Sequence, residues 1–286
     1  MSDIYSGHFG MTQRPFALQP DPGFLYLSQV HAQALATINY GIMTRTPITL
    51  VTGELGAGKT TLLRKLMDRL QRDVTMVLLS NATGGPEEVL RWIMAAVGQP
   101  RQPTESHIDL MGRFEQFLIG EYAHNRRVLL VVDEAQHLGI ETLEVLRLMT
   151  NINADKHELI QLLLIGQPEL RDRVRHRDMR QLAQRVGAGC HLGPMSALDT
   201  RGYIEHRLRV AGASQPIFSE AAMRRIYELS GGIPRLINQL CDLSLVYAFS
   251  ETRHDVSEAL VNRVECEDAC FFLAASQDQR LPTLAA

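Results

Sequence analysis

Gly53-Glu54-Leu55-Gly56-Ala57-Gly58-Lys59-Thr60 satisfies G-x-x-x-x-G-K-[ST] at every fixed position. Glycines at this spacing let the backbone bend into a concave nest whose N–H groups converge on one anion. Lys59 would reach the β- and γ-phosphates of a nucleoside triphosphate. The Thr60 hydroxyl would hold Mg²⁺, and Thr61 is counted with Gly53–Thr60 among the nucleotide-binding residues. The motif predicts a phosphate-binding loop rather than an ordinary glycine turn. A second acidic feature follows downstream, where Val128-Leu129-Leu130-Val131-Val132 runs into Asp133-Glu134. An apolar strand ending in two carboxylates can give one to the metal shell and the other to an attacking water. Asp133 is assigned to the metal and Glu134 to the water.

Three further features bear on the same chemistry. Leu162-Leu163-Leu164-Ile165-Gly166 ends in Gln167, whose amide can orient the water or sense a γ-phosphate; the bland alternative is a surface amide in the turn before Pro168. Arg171, Arg173, Arg175, Arg177, Arg180 and Arg185 crowd one polar segment. Such a run is ordinarily a solvated face, yet phosphoryl transfer gains from a cation on the γ-phosphate. Gly231-Gly232-Ile233-Pro234 precedes Arg235, which either starts a helix plainly or faces back to phosphate from its first turn.

These residues need a scaffold, and the apolar pattern supplies one. Strands are predicted at Ile48–Thr52, Val74–Leu79, Val128–Val132, Leu159–Ile165 and Gly189–Leu192. Helices fill the gaps near Val30–Met43, Lys59–Leu70, Pro86–Val97, Ile108–Ala123 and Glu141–Ile152. Alternation of this kind indicates α/β organisation with a parallel sheet covered on both faces. After Pro194 the strand signals stop, and Leu198–Val210, Ser219–Leu229, Pro234–Phe249 and Val256–Cys266 read as amphipathic helices, with Ser219 and Asp255 as start signals. The chain therefore divides into an aromatic, proline-rich segment (1–30), a nucleotide-binding core (31–194), a helical lid (195–272) and a flexible tail (273–286).

Composition sets bounds. At 286 residues, 45% hydrophobic and 21% charged, the chain is of ordinary globular type. A net charge of −3 provides no global attraction to DNA or anionic lipid. No leader pattern and no apolar run of about 20 residues is visible, which points to a cytoplasmic protein or one peripheral at the inner membrane. Cys190, Cys241, Cys266 and Cys270 make no disulfide framework and read as free thiols.

Taken together the segments resemble an AAA+ ATPase. Walker A falls at Gly53–Thr60, Walker B at Val128–Glu134, sensor 1 at Gln167 and sensor 2 at Arg235. More narrowly, the chain is similar to the general secretion pathway protein A (ExeA-like) ATPases and to relatives from exosortase and exopolysaccharide loci. The markers are Phe9-Gly10, Pro15-Phe16, Pro20-Asp21-Pro22, Asp133-Glu134-Ala135-Gln136, Ile165-Gly166-Gln167-Pro168-Glu169-Leu170 and Gly231-Gly232-Ile233-Pro234-Arg235-Leu236-Ile237-Asn238. The resemblance implies a P-loop AAA+ core with a five-stranded parallel sheet and a C-terminal all-helical lid. It also implies ATP and Mg²⁺ as ligands, held between core and lid, and an ATP-dependent homo-oligomer, expected to be a ring. In such rings an arginine just before the last strand acts on the neighbour's nucleotide; Arg185 fits that place best and Arg180 is the reserve. Secretion-pathway members often continue into a membrane span and a peptidoglycan-binding part, whereas this sequence stops at Ala286, so the shorter polymer-export relatives are the nearer expectation.

Two roles follow from the resemblance. The first is an ATPase that powers or regulates secretion or surface-polymer assembly, with export-machinery proteins as partners. The second is a DNA-associated regulator resembling transposon target-selection ATPases, with the arginine segment tracking phosphates. A helicase reading of Asp133-Glu134-Ala135-Gln136 fails, because helicases need two nucleotide-clasping sheet domains and the chain has one phosphate loop.

Overall fold

The computed structural model describes residues 4–19, 21–68, 73–80, 84–102, 105–154 and 157–266. Pro20, the expected end of the second helix at Leu70, Cys270 and the tail 273–286 lie outside the described residues. The chain forms two compact units, one of His31–Leu55 with Leu62–Leu192, the other of Met1–Val30, Gly56–Thr61 and Gly193–Ala286.

The first unit is a parallel sheet with helices. Its principal strands are β1 (Ile48–Gly53), β2 (Val74–Leu79), β3 (Arg127–Val132), β6 (Ile160–Gly166) and β7 (Val186–Leu192), in spatial order β2-β3-β6-β1-β7. All pair in parallel. Beyond Arg127 at its start β3 is wholly apolar, and β6 is nearly so, because both faces are buried, as a parallel sheet requires. The exception in β6 is Gln161, buried but tied through Nε2 to the carbonyls of Gly41 and Thr46, each at 3.1 Å. β7 is an edge strand whose residues alternate between buried and more exposed. It starts three residues before the predicted Gly189, since Val186-Gly187-Ala188 has weak strand propensity yet pairs with β1.

The helices are α1 (Gln29–Met43), α2 (Lys59–Met67), α3 (Pro86–Ala96), α4 (His107–Ala123), α5 (Ile140–Met149), α6 (Pro168–Arg175) and α7 (Arg180–Arg185). A two-stranded antiparallel ribbon, β4 (Asn153–Ala154) with β5 (His157–Glu158), follows α5. The helix predicted through Ile152 thus ends at Met149. The arginine segment, expected as a polar stretch, folds into α6 and α7, which bury Leu170, Val174 and Leu182.

The second unit holds α8 (Ala197–Val210), α9 (Glu220–Ser230), α10 (Pro234–Ser250) and α11 (Glu258–Cys266). Ser219 caps α9, accepting from the Ala222 N–H at 3.1 Å. Asp255 does not start the last helix. Val256 bridges Phe218, and the helix hydrogen bonds begin at the Ser257 carbonyl, so Ser257 opens α11. Gly232 sits at φ +78 between α9 and α10, where a Cβ would come 2.1 Å from the Met195 carbonyl oxygen. Only glycine fits that turn.

The N-terminal segment is built into this helical core. Tyr5, Phe9, Phe16 and Phe24 are buried with Tyr203, Ile237 and Leu240. Arg207 is the nail: its guanidinium donates to the Pro15 carbonyl at 2.5 Å and the Tyr203 hydroxyl at 2.6 Å, and stacks 5.0 Å from the Phe24 ring centre.

Candidate active site

Three neighbouring strands, β3, β6 and β1, end on one edge of the sheet. Val132 lies beside Leu164, and Thr52 beside Gly166. After β1 the chain goes to β2 on one side; after β6 it goes to β7 on the other. In open α/β sheets ligands usually bind where such a reversal occurs, at the strands' carboxyl ends. Gly53, Asp133 and Gln167 all leave strands at this edge.

Asp133 continues the pairing of β3 by one bond, its N–H donating to the Leu79 carbonyl at 2.9 Å. Only 8% of it is exposed. Its Oδ1 accepts the Glu134 N–H at 3.0 Å. Glu134 then takes the left-handed conformation, φ 56 and ψ 37, at a cost of roughly 1–2 kcal/mol for a residue with a Cβ. A short 3₁₀ turn, Ala135–His137, follows and turns the Gln136 side chain inward.

Gln136 donates from Nε2 to Glu134 Oε2 at 2.5 Å, and its Oε1 accepts the Gln167 backbone N–H at 3.0 Å. The Gln167 side-chain amide reaches the same Glu134 oxygen at 3.4 Å. Two amides from two strand ends therefore converge on one carboxylate. The sequence reading gave roles to Glu134 and Gln167; Gln136 entered it only within the marker Asp133-Glu134-Ala135-Gln136, with no role, because its contacts depend on a tight turn that no periodicity announces.

In the other unit, the second half of the glycine loop has the shape the motif requires. Gly56 and Gly58 have φ +79 and +96, the left-handed values that turn successive N–H groups toward a common centre. The Gly56 carbonyl accepts the Arg235 N–H at 3.3 Å, and a Cβ on Gly56 would lie 2.6 Å from that of Arg235. Arg235 is thus brought against the loop, on the first turn of α10 behind Pro234, with its side chain exposed. Lys59 opens α2 and is buried, Thr60 is exposed and Thr61 is half-buried. Glu54 and Leu55 are exposed, while Gly53 and Ala57 are buried.

The arginine segment divides. Arg173 donates to the Leu138 carbonyl. Arg185 donates from Nη1 to the Thr150 hydroxyl at 2.8 Å and the Thr150 carbonyl at 3.2 Å. It precedes Val186, which starts β7 beside Ile48 at the amino end of β1. At about 3.3 Å per residue the length of the strand, roughly 20 Å, separates that edge from the carboxylates. The structure does not bring Arg185 to the Asp133 edge of its own sheet. Arg175, Arg177 and Arg180 are exposed.

Other chemistries find little support. Burial raises the Cys190 thiol to about 11 and lifts Cys241 well above its ordinary value, so neither is a thiolate at neutral pH. Among the described residues no group of three or more His, Cys, Asp or Glu could hold a metal ion. The two oxygens expected from the sequence to serve a metal, the Thr60 hydroxyl and the Asp133 carboxylate, are of the hard type that Mg²⁺ takes.

A family model described as an AAA domain matches residues 42–174. General secretion pathway protein A of Aeromonas hydrophila is 40% identical over 253 residues, 88% of this chain and 46% of that protein. The chain thus spans about half the length of that relative. Among solved structures, the Aeropyrum pernix ORC2 protein in its ADPNP–ADP complexes superposes with a TM-score of 0.65 at 20% identity, covering 88% of this chain and 70% of that one. The Aeropyrum pernix ORC1 protein in complex with DNA gives 0.65 at 19%, covering 93% and 71%. At those identities the two structures share the fold alone. Phosphate-loop motif, five-stranded order, helical C-terminal unit and the long stretch of identity agree: residues 42–174 match the AAA domain family, and the chain is similar to general secretion pathway protein A.

Proposed function

We propose that this chain is a Mg²⁺-dependent, oligomeric ATPase of the cytoplasm that powers or regulates secretion or surface-polymer (exopolysaccharide) assembly. The observation that carries the hydrolytic part is the convergence of Asp133, Glu134 and Gln167 at the carboxyl ends of the strands where the sheet reverses. The 40% identity to a secretion-pathway protein supports the export part. In this reading Gly53–Thr61 cradles the triphosphate, Lys59 neutralises the β- and γ-phosphates, and Thr60 with Asp133 would hold Mg²⁺. When bound, that ion neutralises charge on the β- and γ-oxygens. Gln167 orients a water toward the γ-phosphorus, and Glu134 takes the water's proton as the bond to ADP breaks. Arg235 reads the γ-phosphate from α10. An arginine of a neighbouring copy, Arg185 or Arg180, completes the site in trans.

The test is paired. Phosphate release by the purified chain should require both ATP and Mg²⁺ and stop with chelator. A deletion strain should lose export of a protein or surface polymer, regained with the wild-type gene but not with Glu134→Gln. Export unaffected by the deletion would sink the client assignment.

A second reading, a DNA-associated regulator, is favoured by one feature, the exposed Arg175, Arg177 and Arg180 on and between α6 and α7. It requires duplex binding that weakens steeply as salt rises; no binding at low salt with ATP and Mg²⁺ removes it.

A further inference from the structure

The Glu134 carboxylate is held by a residue given no role so far, the last of the Asp133-Glu134-Ala135-Gln136 run. Gln136 is buried, with 8% exposure, and its amide has three partners. Oε1 accepts the Gln167 backbone N–H at 3.0 Å; Nε2 lies 2.5 Å from Glu134 Oε2 and 3.3 Å from His137 Nε2. The orientation of this amide follows from chemistry. A backbone N–H can only donate, so the oxygen must face Gln167 and the nitrogen must face the carboxylate.

We propose that Gln136 is a positioning residue for ATP hydrolysis, fixing the Glu134 carboxylate against the tip of β6 through the Gln167 backbone. The inference rests on the reading of Glu134 as the group that takes the proton from water. Gln136 and Gln167 both donate to Oε2, which leaves Oε1 to receive that proton. The two donors are unequal. The Gln167 contact is 3.4 Å long and comes from a side chain with a second task, at the phosphate. The Gln136 contact is shorter, and its anchor is a backbone N–H that stays in place whichever way the Gln167 side chain turns. Gln136 therefore keeps the base aimed while Gln167 attends to the water.

Gly166 supports the same geometry from the other strand. A Cβ there would come 2.8 Å from Gln136 Oε1 and 2.7 Å from Leu170 Cδ2. Glycine at the end of β6 leaves the space that the Gln136 amide fills. The left-handed backbone of Glu134 gives the arrangement its purpose: a residue in a strained conformation needs its side chain held if the carboxylate is to keep one aim.

The test compares Gln136→Met, which keeps length and loses all three contacts of the amide, with Gly166→Ala, which displaces the amide from the opposite strand. Both should lower kcat about 10–100-fold, the scale of a misaimed reacting group, with KM and the affinity for a non-hydrolysable ATP analogue within about 2-fold of wild type. A third variant, Glu134→Gln with Gln136→Glu, exchanges donor and acceptor. It should recover the melting temperature that Gln136→Met loses while remaining as slow as Glu134→Gln. Normal kcat in Gln136→Met, with Glu134→Gln slow, overturns this inference and leaves the hydrolytic reading standing. Loss of analogue binding in parallel with turnover also overturns it, since Gln136 would then be structural only. Near-normal kcat in Glu134→Gln is the separate result that defeats the underlying reading.

Discussion

At the residue scale, each proposed role follows from a local constraint on one side chain or one peptide unit. Positive φ at Gly56 and Gly58 aims backbone N–H groups at a common centre, and Lys59 follows at the first turn of α2. Lys59→Ala removes the point charge while leaving the nest. It should abolish measurable binding of an ATP analogue by calorimetry, with an unchanged melting temperature for the free protein. Normal affinity in that variant would contradict the phosphate-loop assignment. The residues of the loop and of the Asp133-Glu134 pair were legible because their types and spacing are dictated by the anion and the metal they would serve. Gln136 stood in the sequence as part of a marker, but its contacts did not: its partners, the Glu134 carboxylate and the Gln167 N–H, meet it across the left-handed turn at Glu134.

At the element scale, legibility followed burial. β2 was read at its observed limits because Val74–Leu79 is apolar apart from the β-branched Thr75. β7 was read short because its glycines give no strand signal. α6 and α7 were missed because arginines mask the buried Leu170, Val174 and Leu182. The N-terminal aromatic residues pack into the helical unit through contacts distant in sequence, which no local window contains. Capping Asp255 gave way to Ser257 because the Phe218–Val256 bridge holds the chain extended until Ser257. One electrostatic joint can be tested at this scale. Glu121, near the end of α4, accepts from Arg126 at 2.7 and 2.8 Å and from the Thr75 hydroxyl of β2. The Arg126 hydrogen bonds hold its carboxyl at about 2 against the opposing pull of burial, below its ordinary value of 4.5. A depressed carboxyl stabilises the fold above its unfolded pKa, and that stabilisation is lost as pH falls toward the folded value. Glu121→Gln should therefore lower unfolding free energy at neutral pH by on the order of 1–2 kcal/mol. The deficit should shrink between about pH 4.5 and 2 in urea titrations. A deficit constant across that range would mean packing, not charge, is responsible.

At the scale of the whole molecule, a parallel-sheet unit and a helical unit are both present, and the family model falls mostly on the first. Among the described residues no helix is long and apolar enough to cross a membrane. Arg185 is engaged with Thr150 at the edge of the sheet remote from Asp133, and Arg180 stands exposed one helix turn earlier. If either acts on a neighbouring copy, the single variants Arg185→Ala and Arg180→Ala separate the two. The one that serves in trans loses turnover yet regains part of it when mixed with Lys59→Ala, because each copy lends what the other lacks. The other keeps turnover, and for Arg185 the loss of its Thr150 bonds shows only as reduced stability. Failure of both to complement, with nucleotide-dependent enlargement intact on a sizing column, would rule out an arginine in trans from this segment. The most direct test of the account measures binding and turnover on one sample of Glu134→Gln. ATP should bind with wild-type affinity while phosphate release in the presence of Mg²⁺ slows at least ~100-fold, the scale of losing a general base. Turnover near wild type in that variant would contradict the assignment of the carboxylate edge as the hydrolytic centre.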